Sequence, residues 1–147
     1  MNSRALVSFL ASLAVLMACK SKTSAESDPT HFDTIAAPSP AASQAIERNA
    51  AFLRQFRVAL PESTCSGGQW FRECFHTDQT GCEARVKHEL EKCIIQEAEK
   101  LPTVKDATTG TEAGKKLGSC AGTAYEITMG SLKIDSPECR DLSRWVR

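Results

Sequence analysis

The 147-residue chain balances 18 lysines and arginines against 18 aspartates and glutamates, so its formal net charge is zero. This balance gives no argument for nucleic-acid binding, because a domain that binds nucleic acid normally carries an excess of positive charge. Seven cysteines leave one without a partner if the other six pair.

The N-terminus has the pattern of a secretory signal. A single charge, Arg4, precedes an apolar run over residues 5–16 that leads to Ala18. The run is too short to span a bilayer, for which about 20 apolar residues are needed. We therefore predict that residues 1–18 form a signal peptide.

Leu16-Met17-Ala18-Cys19 resembles the lipobox of bacterial lipoproteins, in which an aliphatic residue, a small residue and Gly or Ala precede a cysteine. The resemblance implies cleavage before Cys19 and attachment of diacylglycerol to its thiol. It also implies a lipid anchor in a membrane of the cell envelope, the outer membrane rather than the inner one, since Lys20 follows the cysteine. The alternative is ordinary signal peptidase cleavage after Ala25, which would release a soluble protein.

Residues 19–40 are predicted to form the lipidated cysteine and a flexible tether. They are rich in Ser, Thr, Ala and Pro and contain few large apolar groups. Such a segment cannot bury enough surface to offset the entropy that it would lose on ordering. The remaining residues, 41–147, are predicted to form one cysteine-rich helical domain.

Apolar residues recur at three- and four-residue steps through most of this domain, which predicts an all-α, disulfide-stapled helical bundle. Ser39 and Pro40 begin the first predicted helix and Pro61 ends it. A shorter helix is predicted over about residues 69–77. A third begins at the capping box Thr80-Gly-Cys-Glu83, and another capping box is predicted at Thr109-Gly-Thr-Glu112.

Residues 124–135 fit either a helix or a short hairpin, so an α+β fold with a C-terminal hairpin is the alternative fold. Gly114, Gly118 and Gly122 favour the helix. They recur every fourth residue on one side, where they would let another helix approach closely.

The six remaining cysteines form an even set in an exported chain and are predicted to pair as structural disulfides. They are Cys65, Cys74, Cys82, Cys93, Cys120 and Cys139, and fifteen connectivities are open to them. Cys82 and Cys93 lie eleven residues apart, close to three helical turns, and so face the same neighbour. If the second and third helices fold back on each other, the natural pairs are Cys74–Cys82 and Cys65–Cys93, which leaves Cys120–Cys139.

This nested arrangement resembles the twin-cysteine helical hairpin of the coiled-coil-helix family, although the gaps here are eight and ten residues. The resemblance is architectural and implies no function. Neither a C-x-x-C pair nor the C-x-x-C-H of haem attachment occurs, so no metal or cofactor is predicted.

Two histidines are the candidates for an enzymatic site. His76 lies beside Asp78, and His88 beside Glu89 and Glu91. Either histidine is also an ordinary solvated surface residue, and the sequence contains no G-x-S-x-G, H-E-x-x-H or phosphate-binding glycine motif. A small envelope enzyme is therefore an alternative rather than the leading prediction.

The predicted C-terminal helix carries a basic stripe, defined by Arg140, Arg144 and Arg147 at four- and three-residue steps. Cations near a helix C-terminus are stabilising by themselves. The stripe could also contact anionic lipid headgroups, glycan phosphates or an acidic envelope protein. The leading prediction is a bacterial cell-envelope lipoprotein that acts as a non-enzymatic binding module, and a secreted soluble effector or inhibitor is a further alternative.

Overall fold

The computed structural model describes residues 31–141. Within this range the chain forms helices and no strand, which confirms the all-α prediction. None of the described helices is long and apolar enough to cross a membrane. The helices are α1 (Pro40–Arg48), α2 (Ala50–Cys65), α3 (Trp70–Glu73), α4 (Gln79–Glu97), α5 (Ala107–Thr128) and α6 (Pro137–Arg140), with 3-10 turns at Ala98–Lys100 and Gly130–Leu132.

The first predicted helix is divided in two by Asn49. This residue is buried, and its side-chain Nδ2 donates a hydrogen bond to the Pro102 carbonyl oxygen at 3.2 Å. Its Oδ1 accepts from the Val104 backbone N–H at 2.9 Å. The asparagine thus ties the junction of α1 and α2 to the loop that precedes α5, a contact that no local pattern indicates.

Pro61 does not end α2, which continues to Cys65, so that prediction is wrong. Proline in a helix interior removes one backbone hydrogen bond but leaves the following turn able to form. Two hydroxyl groups support this turn, since Ser63 and Thr64 each donate from Oγ to the Leu60 carbonyl oxygen, at 3.1 and 2.7 Å.

Both predicted capping boxes are misplaced. The N-cap of α4 is Asp78, whose side chain accepts from the Gly81 N–H at 2.7 Å, rather than Thr80. The N-cap of α5 is Asp106, and Thr109 is the third residue of the helix instead of its cap. Hydrogen bonds from the backbone and side chain of Thr109 lower the pKa of Asp106. Each true cap is an aspartate a few residues before the predicted threonine, and both types are good caps.

The hairpin alternative for residues 124–135 is wrong, because α5 runs to Thr128 and is followed by a 3-10 turn. The residues after that turn pair with the segment after α3 instead. The Ile134 N–H donates to the Cys74 carbonyl oxygen at 2.9 Å, and the His76 N–H donates to that of Leu132 at 2.8 Å.

Glycines of α5 lie against α2, as predicted. A Cβ on Gly114 would stand 3.4 Å from Cε2 of Phe56, and one on Gly118 would stand 3.9 Å from Cδ1 of Leu60. The glycine-bearing side of α5 therefore faces another helix, but the contacts are between the α5 backbone and the ends of α2 side chains rather than between two backbones.

All six domain cysteines form disulfides, but each predicted pairing is wrong. Cys65–Cys82 joins the end of α2 to the start of α4, Cys74–Cys139 joins the end of α3 to α6, and Cys93–Cys120 joins α4 to α5. The nested pairing required α3 to fold back along α4. Because α3 is only four residues long instead of spanning 69–77, it cannot form that hairpin.

The core has two main parts. We call the first the aromatic end, which is formed by Cys65, Trp70, Phe71, Cys74, Phe75, Cys82, Val86, Tyr125, Met129 and Cys139. We call the second the aliphatic end, which is formed by Leu53, Leu90, Cys93, Ile94, Leu101, Ala113, Leu117 and Ala121. The aromatic end holds two disulfides and ring-to-ring contacts, whereas the aliphatic end holds one disulfide between long helices.

Candidate functional site

Residues 31–39, which we call the N-terminal strap, lie alongside α4. At one end, Nη2 of Arg85 donates to the His31 carbonyl oxygen at 3.0 Å. At the other end, Oγ of Ser39 donates to Oε1 of Glu99, just beyond α4, at 2.8 Å. The strap therefore runs parallel to α4, and this described part of the predicted tether is in contact with the domain.

Phe32 is the main side-chain contact of the strap. The guanidinium carbon of Arg85 lies 4.3 Å from the centroid of the Phe32 ring, a cation–π distance. The His88 ring meets the same phenylalanine edge to face, with centroids 4.9 Å apart. Phe32 nevertheless keeps 44% of its surface exposed, so the slot between Arg85 and His88 is shallow.

A charged network lies beneath the strap. Arg85 and Glu89 are buried, with relative exposures of 4% and 1%, and Nη1 of Arg85 lies 3.5 Å from Oε1 of Glu89. Nζ of Lys92 lies 3.3 Å from the other carboxylate oxygen. Loss of Glu89 would remove the carboxylate that both cations face, and breaking a buried ion pair in this way costs roughly 3–5 kcal/mol. Glu89 therefore fixes the guanidinium in the position at which it meets the strap.

His88 borders this network, and its surroundings disfavour the charged imidazolium. Burial lowers the pKa of its imidazole, and the nearby Lys92 and Arg85 lower it further, whereas Glu89 and Asp33 act in the opposite direction. Its Nε2 is buried without a hydrogen-bond partner in the described part of the chain. The imidazole thus serves as a wall of the Phe32 slot.

His76, the other predicted candidate, lies on a different surface. It lines an open depression together with Arg72, Glu73 and Asp78. Within it, Nη1 of Arg72 donates a hydrogen bond to the Thr77 carbonyl oxygen at 2.7 Å. The structure therefore does not bring His76 and His88 into one site. Among residues 31–141, no group of three or more His, Cys, Asp or Glu residues is arranged to hold a metal ion.

An apolar groove of about 190 Å³ lies between α2 and α5. Gly118 and Gly122 line it and lack the side chains that would fill it. Lys115 also lines the groove. Apolar walls come from Leu60, Phe71, Val86 and Ala121. The sequence pattern of glycines indicated that another helix faces this side of α5, but it did not indicate the groove.

The predicted C-terminal helix ends early, because Asp141 has extended backbone angles, so only the first member of the basic stripe lies on α6. Arg140 is the last residue of α6, and its guanidinium contacts Oδ1 of Asp135 at 2.7 Å in an exposed ion pair. Arg144 and Arg147 lie outside the described residues, as does Cys19 with the predicted signal peptide.

Comparison with known families places this helical domain. A family model described as "T2SS substrate NttA" matches residues 47–142. The chain belongs to this NttA family. No curated protein and no solved structure matches it.

The part of the chain that matches the NttA family contains α2 to α6 and all three disulfides. T2SS denotes the type II secretion system, so the family is one of secreted proteins. Family membership and the disulfides together point to an extracellular or periplasmic, oxidising compartment. The matched residues include Arg85, His88 and Lys92 but not the N-terminal strap, which precedes them.

Sequence reasoning identified His88 but missed Arg85 and Phe32. One signal was present, because Arg85 and Glu89 have the i, i+4 spacing of a helical ion pair and flank Val86 and Leu90 of the buried stripe. Nothing in the sequence indicated that a segment fifty residues earlier would cover that pair.

Proposed function

We propose that this protein is a secreted, non-enzymatic binding module that the type II secretion system exports. The observation that carries the proposal is the family match, which covers nearly the whole helical domain and describes a substrate of that system. The three disulfides support it, because such cross-links stabilise small domains outside the reducing cytosol.

Export by this route is tested in the native bacterium. The protein is measured in the culture medium of the parent strain and of a strain that lacks a type II secretion component. We expect the parent strain to release it and the mutant to retain it, with a periplasmic marker protein as the control for lysis. Equal release by both strains would contradict the proposal.

The binding role is supported by the position of the two candidate histidines. His88 is used as a wall for Phe32, and His76 lies in an open polar depression on another surface. A double substitution, His76→Ala with His88→Ala, should therefore leave the cellular phenotype of the gene intact. Loss of the phenotype in this variant, with folding unchanged by circular dichroism, would favour the alternative of a small envelope enzyme.

The basic stripe is the contact surface that we propose for an anionic partner such as a glycan phosphate, a lipid headgroup or an acidic envelope protein. Substitution of Arg140, Arg144 and Arg147 by glutamine should abolish the phenotype if the stripe makes this contact. A matched control replaces three lysines that are exposed in the described residues, Lys87, Lys105 and Lys115, by glutamine. Equal effects of the two sets would remove the stripe from the proposal.

We further propose that export passes through a lipidated form anchored at Cys19. The support is the lipobox pattern at residues 16–19 and the eleven residues that lie between Cys19 and His31. Fully extended, that interval would span about 40 Å, enough to separate the domain from the lipid headgroups. The intact mass of membrane-extracted protein tests this: acyl chains on Cys19 are expected, and a mature N-terminus after Ala25 would exclude the anchor.

A further inference from the structure

The N-terminal strap contacts α4 through features that any suitable peptide could supply. The Arg85 guanidinium donates a hydrogen bond to a main-chain carbonyl oxygen, which any residue could supply. It also lies over an aromatic ring, which Phe32 supplies. Asp33 follows the aromatic residue in the sequence. The contacts therefore recognise an extended backbone and one aromatic side chain, and the acidic residue beside them matches the positive charge of Arg85 and Lys92.

The strap is held by few buried contacts. Each residue from His31 to Thr34 is exposed, and Phe32 itself keeps almost half of its surface in solvent. Thr34 and the two residues after it, Ile35 and Ala36, border a shallow depression together with Lys92 of α4. Because so little of the strap is buried, it can leave α4 without disturbing the packing of the aromatic end or the aliphatic end.

The surface under the strap is fixed by the domain itself. Arg85 is held by the buried carboxylate of Glu89, and Lys92 contacts the other oxygen of the same carboxylate. These three residues lie on one helix and within the range that matches the family, whereas the strap lies outside that range. The positive charge that remains at this surface complements an acidic ligand.

We propose that the face of α4 formed by Arg85, His88 and Lys92 is a peptide-docking site, that the strap occupies it in cis, and that its external ligand is an extended peptide with an aromatic residue followed by an acidic one. This inference rests on the proposed function as a binding module and names its surface and partner chemistry. The strap is then a competitor of the ligand, since only one segment fits the slot at a time.

The test uses the mature chain, uniformly labelled with ¹⁵N, and a synthetic peptide with the strap sequence His-Phe-Asp-Thr-Ile-Ala. Amide resonances of Arg85, His88 and Lys92 should shift on titration. The Phe32→Ala chain should bind the peptide about tenfold more tightly than the wild-type chain, because weaker competition in cis raises the fraction of open sites. A peptide with alanine in place of its phenylalanine should bind about tenfold more weakly, which corresponds to about 1.4 kcal/mol.

Two further variants define the site. In the Phe32→Ala background, His88→Ala should weaken peptide binding, because one wall of the aromatic slot is removed. The matched control Ile127→Ala, which removes an exposed apolar side chain elsewhere, should leave binding unchanged. Shifts that are absent from α4, or equal binding of the phenylalanine and alanine peptides, would overturn the docking site.

Two other outcomes also decide the inference. If wild-type protein forms dimers at high concentration by light scattering and Phe32→Ala stays monomeric, the slot takes the strap of a second copy and the external ligand is excluded. If the peptide fails to bind while secretion still depends on the type II system, the docking site is wrong and the proposed secretion route stands.

Discussion

The aromatic end and the aliphatic end of the bundle are stabilised in different ways. At the aliphatic end, α4 and α5 have 19 and 22 residues and pack along their length, with Cys93–Cys120 as the cross-link between them. At the aromatic end, α3 and α6 have four residues each, and Cys74–Cys139 joins them, whereas Cys65–Cys82 joins the neighbouring ends of α2 and α4. The two shortest helices are therefore linked to each other covalently.

The physical reason is that a single turn of helix is not stable alone. Nucleation fixes several residues for one hydrogen bond, so short helices depend on tertiary contacts. In the aromatic end those contacts are perpendicular ring pairs, such as Phe71–Tyr125 and Phe75–Tyr125 at 4.9 and 5.1 Å, and the covalent bond between Cys74 and Cys139.

The largest effect should follow removal of Cys74–Cys139. Serine at both positions frees a connection across 65 residues, which in the chain-entropy model costs about 4 kcal/mol of unfolding free energy. Serine at Cys93 and Cys120, across 27 residues, should cost about 3.5 kcal/mol. Urea unfolding measures both, and hydrogen exchange should show added opening at residues 74–76 only in the first variant. If removal of Cys93–Cys120 lowered the unfolding free energy more than removal of Cys74–Cys139, the aromatic end would not be the end that depends more on its disulfide.

The next largest effect concerns packing at the aliphatic end. Leu117 is fully buried, so Leu117→Ala leaves a cavity and should lower the unfolding free energy by about 3 kcal/mol. The matched control Ile127→Ala, on the same helix but 76% exposed, should change it by less than about 0.5 kcal/mol. If the two variants lost the same amount, packing along α5 would not be what holds this end.

A pH-dependent effect should be specific to the aromatic end. Burial raises the pKa of Tyr125 from 10.0 to about 12. The unfolded chain therefore loses this proton near pH 10 and the folded chain only near pH 12, so the stabilisation is complete below pH 10 and is lost as the pH rises through 12. The loss is about 2–3 kcal/mol over this window.

The measurement compares wild type with Tyr125→Phe by urea unfolding at pH 9 and pH 11. The wild type should lose more stability than the variant between these values, because phenylalanine does not ionise. The Tyr125 hydroxyl has no hydrogen-bond partner among residues 31–141, so the substitution itself should cost little at pH 7. Parallel losses in the two proteins would show that Tyr125 does not cause the pH dependence.

The smallest effect should come from the groove between α2 and α5. Alanine at Gly118 places its Cβ at an ordinary contact distance from Leu60, so Gly118→Ala should raise the unfolding free energy by about 0.5–1 kcal/mol. Gly114→Ala, where the contact with Phe56 is tighter, should gain less. Thermal unfolding measures the pair, and a loss at Gly118 would mean that the helices must move apart to accept a methyl group.

Periodicity was enough to predict the helical class and the helix through residues 124–128, because long amphipathic stretches have one stable interpretation. Periodicity did not predict where the helices begin and end. Asn49 breaks the first helix because its amide is bound by the loop at Pro102 and Val104, and the hydrogen bonds at Leu60 let α2 pass beyond Pro61. The partners of Asn49 lie more than fifty residues along the chain, beyond the reach of any local pattern.

The disulfide set was predictable from an even number of cysteines, but the pairing was not. The pairing depends on which helices are neighbours, and this in turn depends on the short length of α3. The candidate site was predicted only in part for a similar reason. Composition correctly marked the N-terminal strap as poor in apolar residues, yet one ring, Phe32, is sufficient to place it over Arg85. The lipid on Cys19 stays a prediction from four residues.

The connectivity of the disulfides has a consequence for the order of events during export. Cysteines that paired in the order in which they emerged would join Cys65 to Cys74, Cys82 to Cys93 and Cys120 to Cys139, and none of these pairs is native. Cys74 must wait for a partner that lies 65 residues later. A nascent chain oxidised in that order would therefore hold non-native pairs, which thiol–disulfide exchange would have to replace before the native set could form.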